Sequence, residues 1–305
     1  MKQGLLLAKN SPEAAHDSQI AAEWSFWLPE GSFHFSTKDA GYVRDDWSLD
    51  QLKSMLPKTP PPKLFKTVRG RKKTLPPRNF PDSEFTRVLL ARKTHRQFSK
   101  HELKLETISQ LLSLVWGATG YLHSPLFGKL LRKTSPSGGA RHPGEVYLMA
   151  LRVKGLRPGL YHYHPGQHYL ATISSNATRT KAWEYCAHQG HVKNAAALFL
   201  MTAVFPRTMW KYQHPRAYRV VLLDAGHLCQ TFCLVATWLG LAPFCTAALK
   251  DTLIERDLGI DGITESVVYV AGVGLPLPNN RTTYDLGASD ATMASKPGSP
   301  RKESQ

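Results

Sequence analysis

The sequence is poor in cysteine, in acidic residues and in long apolar runs. Its 305 residues include four cysteines and no Cys-x-x-Cys pair. That is too few for a disulfide scaffold of this size, so buried reduced thiols are expected and a metal centre is not. Cys229 and Cys233 stand four apart in an apolar stretch, whereas Cys186 and Cys245 lie far off along the chain. No run reaches the roughly 18 apolar residues of a membrane span. Residues 4–8 are shorter than the roughly 7–15-residue apolar core of a signal peptide. The expectation is a cytoplasmic protein with no membrane partner. Acids number 23 against 39 Lys and Arg, a net charge of +16. Such a balance suits an acidic ligand, an acidic peptide or nucleic acid without choosing among them. Nucleic acid is the weakest of the three, because no zinc, helix-turn-helix or RNP signature is present.

What is present describes a folded chain. Hydrophobic residues make up 42% and charged residues 20%, enough apolar material for a core. Residues 1–84 form an N-terminal extension of different texture. Pro60-Pro61-Pro62 and Pro76-Pro77 interrupt regular structure. Between them, residues 63–73 carry six basic residues and no acid. This stretch reads either as a solvated arm wrapped over a core or as a docking surface for an acidic segment. Residues 288–305, rich in Ser, Ala, Pro and Lys, read as a disordered tail.

Residues 85–287 read as one α+β domain. Ile108, Leu111, Leu112, Val115 and Trp116 share one helical face that Gly117 closes. Short apolar runs at 146–151, 195–205 and 267–274 read as buried strands. Residues 160–173 read as a hairpin turning at 164–167. Residues 224–241 are apolar nearly all round, as in a buried helix.

Three segments could carry chemistry. Arg92-Lys-Thr-His-Arg96 sets three cations and a hydroxyl within five residues, a donor set suited to phosphate; taken alone it is equally a solvated basic turn. Ser135-Pro-Ser-Gly-Gly-Ala-Arg-His-Pro143 places two glycines where a backbone could approach a ligand. It is neither a Walker loop nor GxGxxG. Trp210-Lys-Tyr212 offers two groups able to move a proton; a lysine serves as a base only where burial or neighbouring cations weaken its hold on the proton. His162, His164 and His168 lie close together in the hairpin, but no further ligand has suitable spacing, so they read as a solvated face.

In this order the segments resemble the nitroreductase superfamily and, within it, the SagB-type branch of thiazole/oxazole-forming peptide dehydrogenases. The matching residues are Arg92-Lys-Thr-His-Arg96 with Phe98, Pro136-Ser-Gly-Gly-Ala140 leading to Glu145-Val-Tyr147, Pro158-Gly-Leu-Tyr-His-Tyr163, Trp210-Lys-Tyr212, Tyr218-Arg219, Asp224-Ala-Gly-His227 and Gly272-Val-Gly274. Phe33-His-Phe-Ser-Thr-Lys38 is similar to the branch's N-terminal segment. The resemblance implies a nitroreductase-like FMN-binding fold, with a central, mainly antiparallel sheet flanked by helices. It implies a homodimer with the flavin at the subunit interface. Arg92, Thr94 and Arg96 would hold the FMN phosphate, and Ser137 and Gly138 would lie along the flavin. Thr246 and Ala247, in a loop at 243–248, would approach its reactive edge, and Arg281 would match a late phosphate-binding arginine.

The implied activity is FMN-dependent dehydrogenation of thiazolines or oxazolines to azoles in a modified peptide. A Cα proton would pass to Lys211 or Tyr212 and hydride to the flavin. Two alternatives share the fold: a flavin-dependent dehydrogenase of a free or carrier-bound small-molecule metabolite, and a NAD(P)H-dependent nitro- or quinone reductase. The basic arm would meet an acidic leader peptide or a partner enzyme of the pathway.

Overall fold

The computed structural model describes residues 12–41, 54, 57, 59–77 and 79–277. The expected tail at 288–305 and Arg281 lie outside them. Helices α1 (Pro12–Glu23) and α2 (Leu28–Thr37) come first, and α3 (Glu84–Ala91) precedes the sheet. Strand β1 (Leu103–Lys104) and helix α4 (Leu105–Trp116) precede a hairpin of β2 (Gly120–Ser124) and β3 (Gly128–Arg132). The remaining order is β4 (Gly144–Ala150), β5 (Val153–Lys154), β6 (Gly159–His164), β7 (Tyr169–Ser174), α5 (Arg179–Tyr185), β8 (Ala197–Val204), α6 (Phe205–Met209), α7 (Tyr218–Trp238), β9 (Ala242–Thr246), α8 (Asp251–Leu258) and β10 (Glu265–Gly274).

The core is a six-stranded sheet ordered β7-β6-β4-β8-β10-β9, with every neighbouring pair antiparallel. Side chains alternate across it. Val146, Leu148, Phe199 and Met201 face α4 and α7, in a cluster with Trp116 and Phe232. Tyr147, Met149, Leu198 and Leu200 face α5 and α8, with Tyr185 and Ile254. Covered on both sides, β8 is apolar at nearly every position, as such strands must be. A register shift between Val267 and Tyr269 lets Val267 and Val270 share one face despite their odd spacing.

Two features differ from the sequence reading. The buried helix starts earlier and stops earlier, running Tyr218–Trp238. Most of the expected loop at 243–248 is edge strand β9, paired to β10 alone. An edge position tolerates Pro243, which has no N–H to give a second neighbour. Among the described residues α7 is also the helix long and apolar enough to cross a membrane. Its apolar length is accounted for here by packing: Val221, Leu228, Phe232 and Ala236 are buried against the sheet and α4.

The N-terminal helices pack onto the far end of α7. Trp24 and Trp27 are fully buried with Phe205, Tyr218 and Ile263. The Trp24 indole N–H donates to the Ile263 carbonyl at 2.9 Å, and that of Trp27 to the Tyr212 carbonyl at 2.9 Å. His34 is buried beside them. Its Nδ1 lies 3.0 Å from the Tyr218 hydroxyl and its Nε2 3.1 Å from Ser266 Oγ. The Ser266 hydroxyl donates to Glu255, so it accepts from His34 Nε2–H, and Nδ1 accepts from Tyr218; a neutral ring satisfies both. Lys38 closes the network with two bonds to Glu255, at 2.8 and 2.9 Å. Residues 63–73 carry no helix or strand and are exposed throughout.

Burial, reinforced by Lys38, holds His34 down to about 3. The unfolded chain takes up this proton near pH 6.5. The stability His34 contributes is therefore complete above that pH and is lost as pH falls toward 3. From pH 7.5 to 5.0 this one group is expected to cost about 2 kcal/mol. Urea unfolding at the two pH values should show that loss in the wild type and a smaller pH dependence, by about that amount, in His34→Gln. Equal pH dependence in both proteins would refute it.

Candidate functional site

The loop between β3 and β4 is held in an unusual backbone conformation. Gly139 (φ 61°), Ala140 (φ 54°) and His142 (φ 44°) all lie in the left-handed region, which costs free energy at the two non-glycine positions. The surroundings that enforce it are visible. Ser137 Oγ donates to Asp224 of α7 at 2.5 Å and accepts from the His142 N–H at 2.8 Å. The Gly138 N–H donates to the other Asp224 oxygen at 3.2 Å. Asp224 is 4% exposed. Burial raises its carboxyl, and the bonds from Ser137 and Gly138 act against that rise.

The two glycines are required by what crowds them. A Cβ at Gly138 would fall 2.1 Å from Val220 Cγ1. A Cβ at Gly139 would fall 2.4 Å from Tyr212 Oη and 2.8 Å from Lys211 Nζ. The Lys-Tyr pair and the Ser-Gly-Gly loop, more than 70 residues apart in sequence, thus meet in space. Lys211 Nζ also stands 4.1 Å from the centre of the Phe127 ring, in the turn of the β2–β3 hairpin. The Trp27 bond to the Tyr212 carbonyl fixes the segment from behind.

The other predicted residues gather elsewhere, around β9. His95 N–H donates to the Pro243 carbonyl at 2.9 Å, laying the Arg92–Arg96 segment beside that strand. The Arg92 charge bears on Cys233 and Cys245, and among the described residues no carboxylate forms an ion pair with Arg92. The charge of Arg96, after burial, helps hold His191 down to about 4; the His191 ring packs against Phe244 at 4.9 Å. Thr246 is buried, and its hydroxyl accepts from Gln189 Nε2 at 2.7 Å and from the Ala248 N–H at 3.0 Å. Ala247 follows it directly. The structure therefore forms two groups: Ser137 and Gly138 with Lys211 and Tyr212, and Arg92, Thr94 and Arg96 with Thr246 and Ala247.

The long helix sets their separation. Asp224 and Cys233 are nine residues apart, two and a half turns, so they face opposite flanks of α7 about 14 Å apart along its axis. Between the flanks α7 exposes Leu222, Leu223 and Trp238, and α3 beside it exposes Phe85, Leu89 and Leu90. Within one chain the two groups are separated by this exposed apolar surface.

Asp224 was visible in the sequence as part of a motif, but its task of pinning the Ser137 loop was not. The thiols also hold a surprise. Cys245 comes to 3.3 Å from Cys233, and with Cys229 their three sulfurs lie within 4.8 Å of one another, a group that sequence spacing had left apart. The histidines of the hairpin do not cluster: His162 pairs with Glu145 and His168 with Tyr163 and Ser109.

Comparison with known proteins bears on these features. The sequence model of the nitroreductase family matches residues 89–275. The trifolitoxin-processing protein TfxB of Rhizobium leguminosarum bv. trifolii is 34% identical over 172 residues, 55% of this chain and 46% of its own length. The microcin B17-processing protein McbC of Escherichia coli is 27% identical over 180 residues, 57% of this chain and 63% of its own. The chain thus spans between about half and two thirds of these relatives. Among solved structures, a nitroreductase from Anabaena variabilis described as putative aligns with a TM-score of 0.54 at 26% identity, over 63% of this chain and 38% of that one. A chain of the E. coli microcin synthetase McbBCD complex, solved with truncated pro-MccB17 bound, aligns with a TM-score of 0.57 at 20% identity, over 89% of this chain and 98% of that one.

Proposed function

The chain belongs to the nitroreductase family, and from that premise we propose that it is an FMN-dependent dehydrogenase converting azolines to azoles in a modified peptide. One observation carries the reading: Lys211 Nζ and Tyr212 Oη converge on Gly139 of the Ser-Gly-Gly loop. Azoline oxidation must take a proton from a substrate carbon, a step that reduction of a nitro group or quinone does not contain. The likeness to TfxB, a trifolitoxin-processing protein, and to McbC, a microcin B17-processing protein, supports a peptide substrate.

The residues present suit FMN. Arg92, which no described carboxylate neutralises, stands with Thr94 and Arg96 as a donor set for a phosphate. Ser137 acts on the loop rather than on the flavin, since its hydroxyl hydrogen is committed to Asp224. When bound, FMN supplies a two-electron acceptor for hydride. This chain's own residues bind the substrate ring, keep it against the loop and take the Cα proton at Lys211 Nζ or Tyr212 Oη. Thr246 and Ala247 at the end of β9, and Arg281, complete the proposed cofactor contacts.

The two half-sites lie on opposite flanks of α7, so a second copy packed on the exposed α7 and α3 face would set one protomer's Arg92 group against its partner's Ser137 group. The proposed assembly is accordingly a homodimer, with flavin held between the copies. The exposed basic residues at 63–73 offer a surface for an acidic leader peptide or a pathway enzyme.

The test is FMN uptake, followed by the visible flavin spectrum of the full chain. Arg92→Gln and Arg96→Gln should each weaken FMN binding about 10- to 100-fold, the worth of charge-assisted hydrogen bonds to phosphate. A protein that does not take up FMN, or arginine variants that bind it as tightly as the wild type, would overturn the assignment.

A further inference from the structure

Beside the Ser137 loop, on the side away from α7, lies a cavity of about 640 Å³, within the usual size range of small-molecule sites. Arg141 and His142, which continue the loop, form part of its wall, with Lys133, Glu145, Arg207 and Glu265. The acids are already engaged. Glu145 accepts from Arg207 at 2.5 Å and from His162 at 2.9 Å. Glu265 accepts from Tyr147 at 3.1 Å and from Thr202 at 2.5 Å. His142 donates from Nε2 to the Leu131 carbonyl at 2.9 Å, and burial holds it down to about 4, so it is a neutral wall.

Two cations in the wall are not engaged in this way. Arg141 Nε is buried with no hydrogen-bond partner, and the Lys133 ammonium makes no hydrogen bond among the described residues. Lys133, Arg141 and Arg207 face Glu145 and Glu265, so the wall carries a surplus positive charge. An anion seated in the cavity would meet the positive charge of both groups.

We infer that this cavity is a carboxylate-recognition subsite, in which Lys133 and Arg141 take the side-chain carboxylate of an acidic residue in the peptide substrate. Burial holds the Lys133 amine down to about 8, and a bound carboxylate would draw it back up. The placement gives the subsite a purpose. Arg141 stands 5.2 Å over the Trp210 ring, next to Lys211, and two residues after Gly139. A carboxylate fixed here sets the distance of the neighbouring peptide from the proton acceptor. The inference rests on the proposed peptide reading only for the bearer of the carboxylate.

The experiment compares N-acetyl-L-glutamate α-amide with N-acetyl-L-glutamine α-amide, by ligand-observed NMR titration of the full chain. The glutamate compound should bind at least about tenfold more tightly, as expected for charge-assisted bonds. Lys133→Met combined with Arg141→Met should abolish the preference, and exposed Lys154→Met should leave it intact. Equal binding of the two compounds, no binding of either, or a preference that survives the double variant would each overturn the subsite. The ligand comparison needs no variant, so a double variant that fails to fold does not rescue the idea. Neither arm uses FMN or turnover. A lost carboxylate preference leaves the azoline reading standing, and a protein without flavin leaves the subsite measurable.

Discussion

Lys211→Ala is expected to lower kcat on a synthetic thiazoline peptide by about 10²- to 10⁴-fold, the usual range for loss of a positioned general acid or base. The content of bound flavin should stay unchanged, because Lys211 belongs to the Ser137 group and the proposed phosphate contacts belong to the other. Tyr212→Phe separates the two candidates. It keeps the ring, and with it the packing against His214, but removes the hydroxyl whose oxygen would lie 2.4 Å from a Cβ at Gly139. If Lys211 is the acceptor, Tyr212→Phe has the milder effect; if Tyr212 is, the order reverses. Azole formation followed by absorbance, with flavin content measured on the same samples, reads both. Near-normal turnover in both single variants would remove the proton-transfer role from this pair.

The largest effect on stability is expected at Trp24. Trp24→Ala should destabilise the protein by about 3–5 kcal/mol, the usual cost of emptying a large buried aromatic site. The side chain is 1% exposed, its ring centre lies 4.7 Å from that of Phe205 and 5.4 Å from that of His34, and its N–H occupies the Ile263 carbonyl. Trp24→Phe keeps most of the apolar contact but leaves that carbonyl unpartnered, and should cost about 1–3 kcal/mol. Urea denaturation of the full chain measures both. A Trp24→Ala change below about 1 kcal/mol would mean that the N-terminal helices are not energetically coupled to the rest.

The parts of the fold legible in the sequence were those whose burial imposes a simple rhythm. The α4 face at Ile108, Leu111, Leu112, Val115 and Trp116 is buried as spaced, and the solid apolar run of β8 follows from cover on both faces. Helices α1 and α2 escaped because the buried contribution of this region is concentrated in Trp24, Trp27 and His34, of which the two tryptophans lie between the helices rather than on a helical face. Strand β9 escaped because Pro243 reads as a breaker, and only an edge location excuses it. The proposed cofactor and proton-transfer residues were named from the resemblance of motifs in their order, but sequence order carries no information about which motifs meet. It did not say that Gly139 lies under Tyr212, or that α7 holds the Arg92 group and the Ser137 group on opposite flanks. Glu145, His162 and Arg207 form a network spread over more than 60 residues, which no local pattern announces.

The hydrogen bond from Trp27 to the Tyr212 carbonyl changes what counts as the minimal catalytic unit. The family match begins at residue 89, yet a residue 62 positions upstream holds the main chain of the proposed proton acceptor. Trimming the chain to the matched segment would leave that carbonyl without its donor and the Tyr218 end of α7 uncovered. Grafting the Lys-Tyr pair onto a shorter nitroreductase would import the two side chains without the brace that aims them.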